Sequence, residues 1–554
     1  MRVLDLFSGC GGLSYGVSLA GDGDYCFDVI GGLDSHGPSI ETFAANHPKA
    51  EILQTDIRKT DIADVLRSLG EIDLLIGGPS CQGFSTHGNR VADDPRNFLY
   101  RYFMDFVAKS RPTWVLMENV TGLLRYNRGA FRDSIIEDFR RLGYVVSFAQ
   151  LQAADYGVPQ VRKRVFFVAN RLGIPFFFPR PIYGAPDHSG PLDTELGLKL
   201  HTYVTVADAI GDLPTIGLGC DAASAPTDYA CRPFSPYQSW IRKNSKKLTL
   251  HFGTPAPAEN YARIVNIPSG GDWLDIPECL MPERFEKVLP KDCTTLYYRL
   301  VWDRPSYTIT TVYRNVSSGA FTHPDEDRAL THREAARLQS FPDSFQFNPV
   351  SISRQIGNAV PPLLAFVLGR AIMVHDKHAS NKRAFIDIKA FEEEVRAEME
   401  TEVVPVSRRR VVKPPCIDVL KQAASPLSDK AWEILASKLE KVPVTVGSQV
   451  DLRGVLNGLI YCANNGSNTL TIPDSFAAPS TIIRLVNDWV AAGIYLDVVQ
   501  AAVNSYKRNP DGQVTKTGGE PRPTKRRRLR PYSKHHFATV LYPIDTSTYC
   551  TIVE

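Results

Sequence analysis

The sequence has few of the features that mark a secreted, membrane-spanning or metal-binding protein. Its 10 cysteines are scattered, without a C-x-x-C pair or a cysteine–histidine cluster, which indicates neither a zinc site nor a disulfide framework. No uninterrupted apolar run reaches the roughly 18 residues of a membrane span, and no basic leader precedes the first apolar stretch. We therefore expect no membrane association, no metal ion, a reducing compartment and at most one chemically special thiol.

Net charge is small, at +3 over 554 residues, but it is unevenly distributed. Residues 1–380 contain 39 basic and 41 acidic side chains, whereas residues 381–554 contain 24 and 19. Ten basic side chains against two acidic ones lie between 507 and 534, around the run 525–530. Such a run is a solvated tail, a phosphate-binding arm or a nuclear localisation signal.

The length predicts several domains, and an apolar fraction of 43% is typical of a folded protein. In the first 170 residues, short apolar runs alternate with helical periodicity, which favours a parallel sheet covered on both faces. The expected strands are 3–7, 27–33, 72–76, 114–118 and 165–169, and the expected helices include 62–69 and 97–109. From about 171 the sequence is rich in proline and glycine and suits a loop-built recognition surface. Helical signals return at 331–339, 361–373 and 391–399, before a linker-like segment at 403–415.

A glycine-rich turn follows the first expected strand, with the sequence F-S-G-C-G-G at 7–12. Glycines there let the backbone approach a cofactor at the carboxyl end of a sheet. Asp34, after the next strand, could accept hydrogen bonds from a ribose. A tight turn without a ligand explains the same residues equally well.

Reactive side chains follow three further strands. Cys81 lies in a Gly/Pro loop after the strand at 72–76, where a thiol can be exposed enough to act as a nucleophile, although most cysteines are buried hydrophobes. Glu118 ends the next strand and is a candidate acid, or a surface cap. Gln160, Arg162 and Arg164 alternate, so they share one face and could lie along an anion; without further information they describe a solvated edge strand.

Taken in this order, the segments resemble the cytosine-5 DNA methyltransferase family. Later segments strengthen the resemblance: Y-R-L at 298–300, R-P-S-Y-T-I-T at 304–310, L-T-H-R-E-A-A-R-L-Q-S-F-P at 330–342 and Q-I-G-N-A-V-P-P at 355–362. Together they cover about residues 1–375. One position departs from the family, which usually has two prolines before the cysteine, where this chain has Pro79 and Ser80. The departure leaves the nucleophile in place but affects how rigidly its loop is held.

The resemblance implies methylation of cytosine C5 through a covalent intermediate, with S-adenosylmethionine as cofactor and no metal. Cys81 would add to C6, Glu118 would hold or protonate N3, and Arg162 would stabilise the adduct, supported by Arg164 and Gln160. The target cytosine would be flipped out of duplex DNA, and residues 82–97 would form the loop that closes over it.

The family also implies a fold and a cofactor site. The fold class is α/β: a Rossmann-like catalytic domain with a mixed sheet (1–171 plus 346–378), a smaller irregular target-recognition domain (172–345) and a C-terminal all-α module. The residues implied in cofactor binding are Phe7, Gly9, Gly11, Gly12, Asp34, Asp56, Pro79, Asn358 and Val360. Base readers are expected within 215–300, with 269–273 and Arg299 as candidates.

Residues 426–505 are outside the methyltransferase pattern and follow a linker, 379–425. Segments 451–461, 472–473 and 481–493 resemble the N-terminal helix-turn-helix domain of insertion-sequence transposases. Its reading helix would present Thr481, Arg484 and Asn487, although a helical dimerisation module explains the pattern nearly as well. Only 49 residues remain after 505, too few for a transposase catalytic domain. Beside a DNA enzyme, the basic tail (506–554) favours phosphate contact.

The sequence thus predicts a DNA cytosine-5 methyltransferase of the bacterial restriction-modification type. A cognate restriction endonuclease would act on the same site, and the location would be cytoplasmic, or nuclear in a eukaryotic host. Two alternatives remain open. One is methylation of RNA by the same chemistry, and the other is a DNA-binding regulatory protein that acts through the C-terminal unit. Neither the recognition sequence nor the oligomeric state follows from the sequence.

Overall fold

A mixed seven-stranded sheet forms the centre of the catalytic region, with strand order β3-β2-β1-β4-β5-β7-β6. The computed structural model describes residues 1–79, 99–184, 200–216, 226–229, 231–253, 256–285, 295–381 and 388–401. The strands of this sheet are β1 (Arg2–Leu6), β2 (Asp28–Asp34), β3 (Glu51–Gln54), β4 (Leu74–Gly77), β5 (Trp114–Val120), β6 (Val145–Gln152) and β7 (Lys163–Asn170). β1 to β5 run parallel to one another, whereas β7 is antiparallel to both β5 and β6.

Helices cover both faces of the sheet. Those of the catalytic region are α1 (Gly12–Leu19), α2 (Gly37–Asn46), α3 (Ile62–Leu69), α4 (Leu99–Ser110) and α5 (Ala130–Arg141). One face buries a continuous apolar cluster built from β-strand valines, leucines and isoleucines against aromatic side chains of α4 and α5, among them Phe103, Phe106 and Phe139. Burial on both sides explains why the central strands are almost wholly apolar.

The alternation of strands and helices predicted most of this sheet correctly. All five expected strands are present, and the helix at 62–69 has the predicted bounds. The parallel arrangement expected from this pattern holds for β1 to β5 but not for β7, which pairs antiparallel with β5 and β6. The mixed sheet implied by the family resemblance is confirmed. β3 and β6 were missed: β3 is four residues long and half exposed, and β6 carries polar residues among its apolar ones.

The described residues between 183 and 345 form mostly short helices and loops. These are α6 (Val206–Ile210), α7 (Pro236–Ile241), α8 (Ala258–Ile264) and α9 (His332–Leu338), with the two-residue strands β8 (Tyr183–Gly184) and β9 (His201–Thr202) forming a small separate pair. α9 begins at a capping box in which Thr331 and Glu334 bond each other's backbone N–H groups. Buried ion pairs link it to its surroundings, including Arg337 to Asp343 at 2.6 Å. Irregular backbone is therefore held by charge pairs and caps as well as by apolar packing.

Two further helices return the chain to the sheet and a third follows. They are α10 (Ile352–Asn358), α11 (Pro362–Asn381) and α12 (Ile388–Thr401). The stretch Ile352–Ser380 is long and apolar enough to cross a membrane, but 78% of its apolar window is buried inside the protein, as in a core helix. α12 is the charged helix expected at 391–399, and its Glu398 lies 2.8 Å from the His378 ring on α11.

α1 and α11 pack so closely that Gly16 has no room for a side chain. A Cβ there would lie 2.1 Å from the carbonyl oxygen of Pro362 and 2.5 Å from the Cβ of Ala365. We expect Gly16→Ala to lower the free energy of unfolding by about 1–3 kcal/mol, since the helices must separate. Urea unfolding measures the change as a shift of the midpoint, provided that the variant and the wild type have the same m-value. Gly23→Ala is the control, because no atom lies within 4 Å of its Cβ position; equal midpoints for the two variants would contradict this account of the packing.

Candidate active site

The carboxyl ends of β4 and β5 form the edge of the sheet where the predicted catalytic groups meet. The two strands are parallel neighbours, so the loop after Gly77 and the end of β5 lie side by side. The side-chain amide of Asn119 donates to the carbonyl oxygen of Pro79 at 3.1 Å. A Cβ on Gly78 would lie 2.9 Å from the Glu118 carboxylate. The backbone that leads into Cys81 is therefore tied to the strand that carries Glu118.

Cys81 itself and the closing loop at 82–97 lie outside the described residues. Pro79, two residues before the cysteine, is buried. Its fixed φ and the bond from Asn119 orient the chain at this point. The single Pro79 in place of the family's two prolines is thus supported by a side-chain hydrogen bond.

Glu118 and Arg164 form an ion pair at this edge. Arg164 Nε lies 2.9 Å from Glu118 Oε1, and the two side chains are 18% and 15% exposed. Burial raises the pKa of Glu118, and the charges of Arg164 and Arg162 oppose that shift without cancelling it. A carboxyl in this setting can hold a proton nearer neutral pH than one in water, which suits an acid.

Arg162 is buried, with 1% of its surface exposed, so the solvated edge strand was a wrong interpretation. Its guanidinium donates to three carbonyl oxygens, of Ile309 at 2.9 Å, Gly357 at 3.1 Å and Ala359 at 3.0 Å. The buried Nε has no hydrogen-bond partner. Arg162 therefore holds two distant segments at the sheet edge and keeps one donor unused.

Gln160 is fully buried and has a positioning role in this arrangement. Its amide donates to the Gln339 side chain at 2.6 Å and to the Leu338 carbonyl at 3.0 Å. Its carbonyl accepts from the Ile309 backbone N–H at 2.8 Å. Gln160, Arg162 and Arg164, which the sequence placed on one face, thus lie in one region of the structure. Gln160 and Arg162 both bond the backbone of Ile309, whereas Arg164 pairs with Glu118.

The turn after β1 has the geometry of a cradle for a small ligand. Phe7, Gly9 and Gly11 have positive φ values of 58°, 53° and 88°, which turn the backbone sharply into α1. Open space surrounds the Cβ position of Gly9, with no atom within 4 Å. Asp34 accepts from the Gly9 and His36 backbone N–H groups at 2.9 and 2.8 Å, so its carboxylate lies at this turn as predicted.

The final predicted cofactor residues close one wall of the cradle. A Cβ on Gly12 would lie 2.5 Å from the carbonyl oxygen of Val360, so the first and last motifs are in contact. Val360 is buried, whereas Asn358, at the end of α10, is exposed. Val360 thus lies at the cradle, and the role of both residues in cofactor binding stays a prediction.

Asp56, which the resemblance implies as a contact of the adenine, is already paired within the protein. Its carboxylate accepts from the Arg58 backbone N–H at 3.0 Å and pairs with the Arg58 guanidinium at 2.5 Å. The Arg58 side chain, through these hydrogen bonds, lowers the pKa of Asp56 to about 2. An open cleft of about 410 Å³ adjoins the pair and includes Ile57 and Tyr102 in its lining. An incoming adenine would share this carboxylate with Arg58.

One buried acid near the cradle was missed by the sequence analysis. Asp5 on β1 is 1% exposed, its Oδ2 has no hydrogen-bond partner, and burial raises its pKa to about 7. An unpaired carboxyl oxygen beneath the glycine turn can accept from a positively charged ligand. The signal was present in the sequence, because Asp5 interrupts the otherwise apolar run V-L-D-L-F.

The candidate base readers Arg299 and Trp273 are structural residues. Arg299 is 4% exposed, and its guanidinium bonds the carbonyls of Ile267 and Ile264 at 2.7 Å and pairs with Asp327 at 2.5 Å. Trp273 is buried in an apolar cluster with Phe285. Neither side chain is free to reach a base, and within 269–273 only Ser269 and Gly270 are exposed.

We expect Arg299→Met to destabilise the protein by about 3 kcal/mol, because several buried carbonyls lose their donor. Residual methylation should occur at the wild-type DNA sequences, which bisulfite sequencing reveals. Ser269→Ala is the matched control and should unfold at the wild-type urea concentration. A variant of wild-type stability that methylates a different set of sequences would show that Arg299 reads bases after all.

Three potential metal ligands, His323, Glu326 and Glu334, lie within 4.8 Å of one another. The Arg328 guanidinium already occupies this cluster, with bonds to both Glu334 oxygens at 2.9 and 2.8 Å and to Glu326 at 2.6 Å. His323 Nδ1 accepts from the Glu326 backbone N–H at 3.0 Å. The cluster is a structural network of ion pairs and hydrogen bonds.

Comparisons with known proteins agree with this geometry. The family model of C-5 cytosine-specific DNA methylases matches residues 1–215 and 243–374. The Type II methyltransferase M.AgeI of Thalassovita gelatinovora is 34% identical over 433 residues, which covers 68% of this chain and 99% of the relative. M1.HphI of Haemophilus parahaemolyticus is 35% identical over 380 residues, covering 67% and 87%.

A solved structure is also similar. It is a prophage-encoded E. coli protein described as a DNA modification methyltransferase, with a TM-score of 0.51 and 26% identity, and the match covers 69% of this chain and 100% of that one. The family match spans the sheet, the glycine turn and the edge that carries Glu118 and Arg164. The chain therefore belongs to the C-5 cytosine-specific DNA methylase family and is a DNA (cytosine-5)-methyltransferase.

Proposed function

We propose that this enzyme methylates C5 of a flipped-out cytosine in a specific duplex DNA sequence through a covalent bond to Cys81. One observation carries the proposal: the loop that leads to Cys81 is bonded to the end of β5, where Glu118 pairs with Arg164. The chain that leads to Cys81, an acid and a buried cation thus lie at one edge of the sheet, next to the glycine cradle, which supports Cys81 as the nucleophile.

Cytosine C5 is a weak nucleophile, and the side chains of the site raise the electron density at C5. The Cys81 thiolate forms a bond to C6 while the Glu118 carboxyl gives its proton to N3, which leaves an enamine whose electron density is highest at C5. After C5 has gained a methyl group, a base removes the C5 proton and the C6–S bond breaks. The thiolate leaves with the bonding electron pair, and the proton on N3 returns to Glu118.

The two arginines stabilise this sequence electrostatically. Arg164 holds the Glu118 carboxylate in place at 2.9 Å and stabilises its ionised form once the proton has been given to N3. Arg162 adds positive charge behind the pair, and its three bonds to backbone carbonyls fix its orientation. Gln160 positions the same segment through Ile309.

When bound, S-adenosylmethionine would supply the methyl group from its sulfonium, whose sulfur would keep the electron pair of the broken S–CH3 bond and leave as a neutral thioether. The cradle fits it: Gly9 leaves space, Asp34 lies where a ribose can be bonded, and Asp5 has an unpaired oxygen for a positive charge. The proposed cofactor site is completed by Phe7, Gly11, Gly12, Pro79, Asn358 and Val360. Asp56 would accept a hydrogen bond from the adenine while its carboxylate also pairs with Arg58.

The experiment that tests this function is transfer of a tritiated methyl group to duplex DNA, with transfer RNA as the competing substrate. We expect incorporation into duplex DNA that exceeds incorporation into RNA, and bisulfite sequencing then gives the recognition site. Flipping the base costs a few kcal/mol, so a mismatched target cytosine should be methylated at least as fast as a paired one. Preferential methylation of transfer RNA would overturn the proposal.

The restriction-modification role, a cognate endonuclease and the cytoplasmic location are part of the same proposal. They are supported by the Type II methyltransferases to which the chain is similar. The helix-turn-helix resemblance at 426–505 and the basic tail lie outside the described residues. We propose that they add affinity for DNA, because the tail is rich in basic side chains. They are not part of the shared catalytic region, since 99% of M.AgeI matches only 68% of this chain.

A chain that ends at residue 401 should keep kcat within about threefold, since α12 and the catalytic residues all remain. Its affinity for duplex DNA should fall, and most strongly at low salt, where the basic tail contributes most. Filter binding at several salt concentrations measures the loss. A folded truncated chain without any methylation would show that the C-terminal unit belongs to the catalytic machinery.

A further inference from the structure

The segment that follows residue 305 is bonded directly to the catalytic region. Thr308 Oγ1 donates to the Val161 carbonyl at 2.8 Å, and the Ile309 carbonyl accepts from Arg162 at 2.9 Å. Gly357 packs so closely on the next peptide that a Cβ would lie 2.4 Å from the Thr310 carbonyl carbon. A displacement of this segment would therefore also displace Arg162.

The chain then turns outward for four residues, 311–314, which we call the outward loop. Thr311 and Val312 are exposed, Val312 by 47%. Tyr313 is buried and fixes the base of the loop, since its hydroxyl lies 2.6 Å from the His332 ring. The outward loop is thus anchored at Tyr313, and its exposed residues follow directly on the segment that bonds Arg162.

Arg314 ends this loop and differs from the other arginines around it. Arg299, Arg328 and Arg337 each have a carboxylate within 3 Å. Arg314 has none within 4 Å among the described residues, and its buried NH1 nitrogen has no hydrogen-bond partner. Its guanidinium lies 5.9 Å from the Phe252 ring centre.

The surroundings of Arg314 compensate its charge only from a distance. The nearby Glu334 gives both carboxylate oxygens to Arg328. Burial lowers the pKa of Arg314, the Tyr313 and Glu334 charges oppose that shift, and the Arg328 charge adds to it. A half-buried cation without a partner is costly unless an anion arrives from outside.

We propose that Arg314 binds a backbone phosphate of the duplex and, through the outward loop, positions the DNA relative to Arg162. The proposal rests on the proposed function, since it requires duplex DNA beside the outward loop. A phosphate suits the fork of a guanidinium and occurs at every nucleotide, and phosphates receive half or more of protein–DNA hydrogen bonds. Arg314 would then set the register of the DNA without reading its sequence.

The test uses the full-length protein with Arg314→Gln, Arg314→Lys and the control Arg67→Gln. Arg67 lies on α3, is 75% exposed and pairs with Asp64, so its substitution removes the same charge elsewhere. The probes are a duplex oligonucleotide that contains the methylated sequence found by bisulfite sequencing and a duplex of shuffled sequence. Dissociation constants are measured from 50 to 300 mM salt, and KM and kcat on the first duplex.

For Arg314→Gln we expect the slope of log Kd against log salt to fall by about 1, the value of one phosphate contact. Affinity should fall about tenfold at low salt for both duplexes, and KM for DNA should rise more than kcat falls. Arg314→Lys should recover part of the slope, because it keeps the charge but loses the fork. Arg67→Gln should match the wild type.

Other outcomes overturn the inference. An unchanged slope together with a lower melting temperature would make Arg314 a structural residue. A loss confined to the duplex with the methylated sequence would make it a base reader, and a loss confined to S-adenosylmethionine binding would place the anion on the cofactor. If the wild-type enzyme methylates and binds DNA, any of these results refutes only the role of Arg314 and leaves the proposed function intact. If the wild-type enzyme does neither, the proposed function fails as well.

Discussion

Cys81→Ser should lower the rate of methyl transfer on the order of 10⁴-fold or more. A free cysteine thiol has a pKa of about 8.5, so cysteine offers a fraction of reactive thiolate near neutral pH, whereas a serine hydroxyl is almost entirely protonated there. Without a nucleophile at C6, C5 never gains the electron density that it needs. Tritiated methyl transfer to duplex DNA under single-turnover conditions measures the loss.

The control for Cys81→Ser is Cys279→Ser, which replaces an exposed cysteine of the region between 200 and 345. It should keep wild-type activity. Cys81→Ser should still bind duplex DNA and S-adenosylmethionine and melt at the wild-type temperature, since the substitution removes one reactive atom and little volume. Wild-type methylation by Cys81→Ser would show that the mechanism is wrong.

Glu118→Gln should lower kcat by about 10²–10³-fold, within the usual range for loss of a positioned acid. The glutamine amide can still donate a hydrogen bond to N3 but cannot give up a proton, and it loses the ion pair with Arg164. The effect should appear in kcat more than in KM, because N3 needs its proton only as the C6–S bond forms.

The pH dependence gives an independent signature of Glu118. Since burial raises its pKa, the protonated form persists to a higher pH than for a carboxyl in water. If protonated Glu118 is the acid, kcat/KM of the wild type should decline as the pH rises through that pKa. Glu118→Gln should lack this decline, because its amide does not titrate.

The matched control is Glu137→Gln, on the exposed face of α5, where the carboxylate pairs with Arg141. It should retain the wild-type rate and pH profile. An unchanged kcat for Glu118→Gln would remove Glu118 from the mechanism, even if Cys81 proved essential.

The sequence predicted those parts of the fold that follow from local pattern. β1, β2, β4, β5 and β7 were found because buried parallel or central strands are continuous apolar runs. β3 was missed because it is short and half exposed, and no local signal shows that β7 reverses direction. Strand direction depends on where distant segments pair, which composition does not encode.

The candidate site shows the same division. Motif spacing brought Glu118, Asp34 and the glycine turn to one edge of the sheet, because each lies at or just after the carboxyl end of a parallel strand; their chemical roles stay predictions. Arg299 was misjudged as a base reader because an arginine beside a motif looks the same whether it meets DNA or buried carbonyls. Nothing in the sequence singles out Arg314. That its NH1 nitrogen has no hydrogen-bond partner can be seen only in the structure, where its neighbours are known.

The covalent bond to Cys81 is the central claim, and a substrate that blocks the last steps tests it most directly. In duplex DNA with 5-fluorocytosine at the target position, C5 carries fluorine in place of the proton that must leave, so the adduct cannot break down after methylation. Incubation with S-adenosylmethionine should give a denaturation-resistant complex of one enzyme and one duplex, with the DNA on the peptide that contains Cys81. No such complex should form with Cys81→Ser. Wild-type enzyme that methylates ordinary DNA but forms no stable complex with the fluorinated duplex would contradict the account.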